Sequence, residues 1–255
     1  MQPGNDFSHL PEKQHAMKKT LISTLLLSFL LTGQSFSQSL LPALESMPMS
    51  KEAYLNLKDG QRIKGKIMYT ISGRGVNKVA LKDEKGTKHE YKAPQIDEFG
   101  IFSNDMVKMQ YFNESSASIK AMLKTDRSAI KFNDYVVFRN ATLKGGKELL
   151  LQLLNPHFDD RIQVYYSVNS RKTTPLTKGT ITLTGEMQRA YLVSKDGTPV
   201  VNVKKGSYKK SFRNLFSDCP NMSSIKKPKF KDFGKHIYYY TENCGEELTE
   251  YFWED

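Results

Sequence analysis

His157, Asp159 and Asp160 fall together in "NPHFDD" (155–160). A histidine beside two carboxylates can hold a divalent cation or act as a general base. The same string, opened by Asn155-Pro156, also reads as a polar turn entering a strand. A single short cluster lacks the partners distant in sequence that a catalytic site draws on. The other histidines that follow the leader offer less. His89 alternates with Glu90 along a strand, and His236 sits among lysine and tyrosine residues on a helix, so both read as surface groups. The chain has no G-x-S-x-G, H-E-x-x-H, G-x-x-x-x-G-K-[ST] or G-x-G-x-x-G. "SGRGVN" (72–77) has two glycines but opens no helix, so it reads as a turn rather than a phosphate cradle. No catalytic residue, metal or cofactor is assigned.

The two cysteines carry a clearer signal. In "SYKKSFRNLFSDC" Tyr208, Phe212, Leu215, Phe216 and Cys219 share one helical face, and in "KDFGKHIYYYTENCG" Phe233, Ile237, Tyr240 and Cys244 repeat the spacing. Pro220 stops the first helix and Gly245 suits the C-cap of the second. Two apolar stripes each ending in cysteine can be stapled by a Cys219–Cys244 disulfide, worth roughly 3–4 kcal/mol in the chain-entropy account. Two buried free thiols are the alternative. Absence of C-x-x-C argues against redox chemistry, and two isolated cysteines are too few for a metal.

Charge is the third feature. The formal net charge is +11. Lys204, Lys205, Lys209, Lys210, Arg213, Lys226, Lys227, Lys229, Lys231 and Lys235 crowd residues 204–235, while 241–255 hold Glu242, Glu246, Glu247, Glu250, Glu254 and Asp255 without a lysine or arginine. Such a stretch can meet an anionic surface or fold against its own acidic end. A solvated helix face with a counter-charged tail is the plain alternative. The lysines beside Tyr238, Tyr239 and Tyr240 superficially suit nucleic acid.

The compartment argues otherwise. "MKKTLISTLLLSFLLTGQSFS" (17–37) has a charged start, an apolar run from Leu21 to Leu31, and small residues before Gln38. That pattern is a cleavable export signal, too short for a comfortable membrane span. A buried core helix and a retained anchor are the alternatives. No cysteine follows the run, so a lipoprotein anchor has no attachment atom. "MQPGNDFSHLPEKQHA" (1–16) precedes a better start at Met17, so translation is expected to begin there. An exported protein rarely meets nucleic acid, and anionic lipid, acidic glycan or another envelope protein becomes the expected partner. Location is periplasmic, outer-membrane-associated or extracellular. No later run is long enough for a transmembrane helix.

The elements between these features are mostly strands. With 14 Phe and 13 Tyr the chain can build a core. Residues 1–37 are leader and signal, and 38–50, with Pro42 and Pro48, read as a linker. From 51 to 112 the period is two. "AYLNL" and "RIKGKIMYT" flank Asp59-Gly60, and "NKVALKD" and "KHEYKA" flank "EKGT". "IDEFG" (96–100) suggests a helical turn, and "IFSNDMVKMQYF" (101–112) one or two strands. These point to a small SH3-like curled sheet or barrel, with a larger sandwich as alternative. Residues 113–206 read as a β-meander, with "SIKAMLKT" (118–125) either helix or edge strand and a Lys-Asp-Gly turn at 195–197. Residues 207–255 are a two-helix tail. The fold class is α+β, mostly β.

With "SFSQ" at the signal end, "LKDGQRIKGKI" as the first hairpin, "AYLVSKDGTPVVNV" as a later one, and Asp218-Cys219-Pro220 closing a helix, the chain resembles uncharacterised exported proteins of Bacteroidota. The resemblance implies an envelope or secreted location and carries over no catalytic residue. The functional expectation is a non-enzymatic binding or scaffolding module. Its rival is an envelope hydrolase-like enzyme assembled from residues distant in sequence, starting from His157, Asp159 and Asp160. Sequencing the N-terminus of native protein should read from Gln38, and an end at Met1 or Met17 would contradict the export reading.

Overall fold

The computed structural model describes residues 40–44, 46–115, 133–168, 176–178, 181–184 and 189–244. The leader and signal, "SIKAMLKT", Gly245 and the acidic end at 245–255 lie outside them.

Alternating residues and tight turns build the first sheet. β1 (Glu52–Leu57) and β2 (Arg62–Ser72) pair antiparallel. Gly60, at φ 88, supplies the left-handed turn residue between them. β3 (Val76–Asp83) pairs with β2 and with β4 (Lys88–Lys92). A 3-10 turn at Ala93–Gln95, started by Pro94, then feeds β5 (Ile96–Phe102), which returns to β1. The helical turn expected over 96–100 therefore lies three residues earlier, and 96–100 is strand. Proline fixes φ for the first residues of a turn, and that signal outweighs the sequence that follows.

The chain after Phe102 also departs from expectation. Asp105–Ser115 is a helix, α1, where strands were expected. Asn104 caps it, its side-chain oxygen accepting from the Val107 N–H at 3.0 Å. Val107 and Tyr111, one turn apart, face the core. β6 (Tyr135–Thr142) and β7 (Glu148–Gln152) follow. They pair with β5 and with each other, and β7 reaches β3. The order β2-β1-β5-β6-β7-β3, with β3 back on β2, is a closed six-stranded barrel, and β4 is an extra strand on β3. The barrel thus spans the boundary drawn at residue 112, and its last two strands come from the region read as meander.

Closure depends on a glycine. β3 meets β7 through the pair Val76↔Leu150. A Cβ on the preceding Gly75 would lie 2.6 Å from the Leu151 side chain and 3.1 Å from the Leu150 carbonyl oxygen. Only hydrogen leaves room for the seam, which removes two unpaired edges at once. The glycines of "SGRGVN" are therefore a turn and a seam. β2 bends through register shifts at Ile67/Tyr69 and Ile71/Ser72, so one long strand serves two neighbours.

A second layer stacks on the barrel wall. β8 (Ile162–Tyr166), β11 (Ala190–Lys195) and β12 (Val201–Lys204) form a sheet in the order β12-β11-β8, and β9 (Leu176–Lys178) pairs with β10 (Ile181–Thr184). Asp196 and Gly197, at φ 48 and 72, make the turn between β11 and β12. The period of two sorts the core. Val136, Phe138 and Leu150 fill the barrel. Val137, Leu149 and Leu151 point outward against Tyr165, Val200 and Leu192. Ile162, Val164 and Val193 face away from the barrel, onto the helices α2 (Tyr208–Leu215), α3 (Pro220–Ser223) and α4 (Phe233–Cys244).

The segment expected as linker is a strap. Leu40 and Ala43 pack on the helical core, while Leu44 and Met47 pack on the barrel core. The Leu41 N–H donates to the Leu154 carbonyl at 2.7 Å, and the Leu44 N–H donates to the buried Gln152 side chain at 3.0 Å. Prolines 42 and 48 hold the strap extended rather than marking a free connector. Leu44, 4 % exposed, is buried in the barrel core, so Leu44→Ala should cost about 2–5 kcal/mol. Urea unfolding would read this as a lower midpoint at unchanged slope.

Candidate functional site

The helical layer is held from beneath by its apolar stripes. Tyr208, Phe212, Leu215, Phe216 and Cys219 are buried, as are Phe233, Ile237 and Tyr240. Rings meet rings across the two helices: Tyr208 lies edge-on to Phe233, and Phe216 contacts Tyr240 at 5.4 Å. His236 is part of this core, not surface. Its Nδ1 and the Tyr208 hydroxyl share a hydrogen bond of 2.7 Å. The helical phase explains the difference, because His236 follows Phe233 by three residues and shares its face. Burial pushes its imidazole pKa down, against the pull of Asp232.

The stripes end at the Cys219–Cys244 disulfide, whose Cα atoms are 5.5 Å apart. A polar cluster beside it went unread in the sequence. Asp218 accepts from Lys195, from Arg161 at 3.2 Å and from the Tyr240 hydroxyl at 2.6 Å. Arg161 grips Asp196 with two nitrogens and donates to the Cys244 carbonyl at 2.8 Å. The Lys195 amine lies 4.8 Å from the centre of the Tyr240 ring. Burial alone would raise the Asp218 carboxyl, but hydrogen bonds from Lys195 and Tyr240 outweigh it and hold the group at about 2. The cluster pins β8, the β11–β12 turn, the end of α2 and the end of α4 to one point. Asp218-Cys219-Pro220 and Lys195-Asp196-Gly197 each stood out locally, but Arg161 carried no signal.

Above this floor lies the basic face. Lys204, Lys205, Lys209, Lys210, Arg213, Lys226, Lys227, Lys229, Lys231 and Lys235 are all exposed. Among the described residues none of them makes an ion pair. Between α2 and α3 lies a groove of about 460 Å³, where exposed Arg213, Ser217, Ser223 and Lys226 stand over the buried Phe212, Phe216 and Met222.

The His157 cluster lies elsewhere and is divided. Asn155, fully buried, donates to the Phe158 and Ile162 carbonyls and accepts from the Val164 N–H. That knot shapes the turn and leaves His157 and Asp160 exposed. Asp159 turns instead to Arg139 on β6, whose other arm binds Glu98 on β5 at 2.8 Å. Burial pushes the Asp159 carboxyl up, against Arg139. No three His, Cys, Asp or Glu side chains among the described residues converge as a metal site.

No protein-family model matches the chain, and no curated protein or solved structure is similar to it. The reading of the site therefore rests on its own geometry.

The buried imidazole sets a pH dependence. The unfolded chain takes up a proton near the ordinary histidine value of about 6.5, whereas folded His236 resists it. Its contribution is full above that value and declines as pH falls below it. Thermal midpoints should drop from about pH 7 to about pH 5, and His236→Gln should flatten that slope. A wild-type midpoint constant across the window would contradict this.

Proposed function

We propose that this chain is an exported, non-enzymatic binding module of the cell envelope, whose disulfide-locked basic face holds an anionic surface. The observation that carries it is the basic stretch: ten exposed cations, unpaired among the described residues, on a layer fixed by a disulfide and by buried aromatic side chains. A rigid layer presents its charges at fixed spacing, so binding costs little ordering.

Three further features support export. A disulfide persists in oxidising compartments outside the cytoplasm. The compact unit that holds the barrel and the helices begins at Gln38, where the signal pattern places cleavage. The resemblance to exported Bacteroidota proteins points the same way. Among the described residues no helix is long and apolar enough to cross a membrane. The location we propose is periplasmic, outer-membrane-associated or extracellular. The hydrolase-like alternative would begin from His157, Asp159 and Asp160, of which Asp159 is committed to Arg139.

Vesicle sedimentation tests the reading. Protein starting at Gln38 should bind vesicles containing phosphatidylglycerol, fail to bind neutral phosphatidylcholine, and dissociate as salt shortens the screening length. Each basic residue near such a surface contributes about 1 kcal/mol, so Lys209→Glu with Lys210→Glu should weaken binding at least about tenfold. Equal binding to neutral vesicles, or binding indifferent to salt and to these variants, would sink the proposal.

A further inference from the structure

We infer that Met49 on the strap, with Met106 and Met109 on α1, forms a binding site for a soft, closed-shell monovalent cation of the copper(I) class. The site stands apart from the basic stretch, and the inference does not rest on the function proposed above.

Exposure of the three side chains is the first observation. Methionine is among the residue types most often buried. Here Met49, Met106 and Met109 are 51, 49 and 54 % exposed, while α1 gives Val107 and Tyr111 to the core. Met47, two residues before Met49, packs on the barrel core. The fold therefore leaves three thioethers in solvent beside one helix.

Hydrogen bonds fix where they stand. The Met49 N–H donates to the Gln110 side-chain oxygen at 3.2 Å, and the Met49 carbonyl accepts from the Asn104 side-chain amide at 3.3 Å. The Gln110 amide donates in turn to the Ser46 hydroxyl at 3.0 Å. Asn104 caps α1, and Gln110 follows Met106 by four residues, so it shares its helix face. Met49 is thus held against α1 between its cap and Gln110, and Met106 lies in that interval. Met109 follows Met106 by three residues, a spacing that puts Cβ atoms about 5–6 Å apart on the helix surface. Unbranched methionine side chains rooted this closely can turn their sulphurs to one ion.

The donor type selects the ion. Thioether sulphur is soft and uncharged, which suits copper(I), whereas magnesium, calcium and manganese take carboxylate and carbonyl oxygen. Both cysteines are closed in the disulfide, so no thiol competes. Among the described residues no three His, Cys, Asp or Glu side chains converge either. A thioether has no proton to lose, so its affinity is the same in mild acid, while a histidine ligand must first be deprotonated.

Silver(I) is the probe, because it is as soft as copper(I), carries the same charge and stays in one oxidation state. The protein starts at Gln38, keeps its disulfide and carries isotope-labelled methionine methyls. Silver nitrate should shift the Met49, Met106 and Met109 methyl signals together, at the same concentration at about pH 7 and about pH 5. Leucine matches methionine in size and helix preference, so Met106→Leu with Met109→Leu should keep the parent's thermal midpoint. The same variant should weaken silver binding at least about tenfold. Met49→Leu alone should weaken it severalfold, which shows the part played by the strap. Three methyls that do not shift, or affinity unchanged in these variants, overturns the site. Histidine rings that shift first, or binding that weakens at the lower pH, gives the ion to histidine and overturns it too.

Discussion

β7 has no face left for water, and that double burial organises the molecule. Leu150 points into the barrel, while Leu149 and Leu151 point into the second layer. Gln152 at its end is buried too, bound to the strap. A slip of one residue would exchange the two faces, and with them the two cores. The strand is thus the common wall of barrel and sheet. The sheet in turn offers Ile162, Val164 and Val193 to the helices, so each layer exists because the previous one leaves an apolar face uncovered.

The outermost layer carries a charge problem and a remedy. Ten exposed cations within residues 204–235 repel one another and favour opening. The remedy lies in the disulfide and in the Asp218 cluster, where Arg161 and Lys195 converge on a carboxylate and an aromatic ring. The cations stay exposed to solvent, and the groups that hold the layer do not compete with them.

Legibility in the sequence followed the range of the interaction. Asp59-Gly60 and Asp196-Gly197 announce hairpins because a turn is decided by adjacent residues. The stripes ending in Cys219 and Cys244 announce helices because the phase of a helix is local. The basic face was legible as composition. α1 was missed because, among its described side chains, Val107 and Tyr111 alone are buried, too few to betray a helical period. Barrel closure at Gly75, the strap at 40–48 and the Asp218 cluster all join residues far apart in the chain, and no local pattern encodes them. His236 was misplaced because it follows Lys235 in a lysine-rich stretch, while its neighbours on the helix face are Phe233 and Tyr240.

The strap has a kinetic meaning. Leu41 bonds to Leu154, Leu44 bonds to Gln152 across 108 residues, and Leu40 crowds Gly234, within 3.1 Å of where its Cβ would stand. Contacts of such sequence separation slow folding, because a long loop must close before they form. The seat of Leu40 is therefore complete only after α4 has been made. A nascent chain lacking its last helix has an unfinished helical core and a strap with half its seat missing. Such a chain gains its full set of strap contacts only when synthesis is nearly complete.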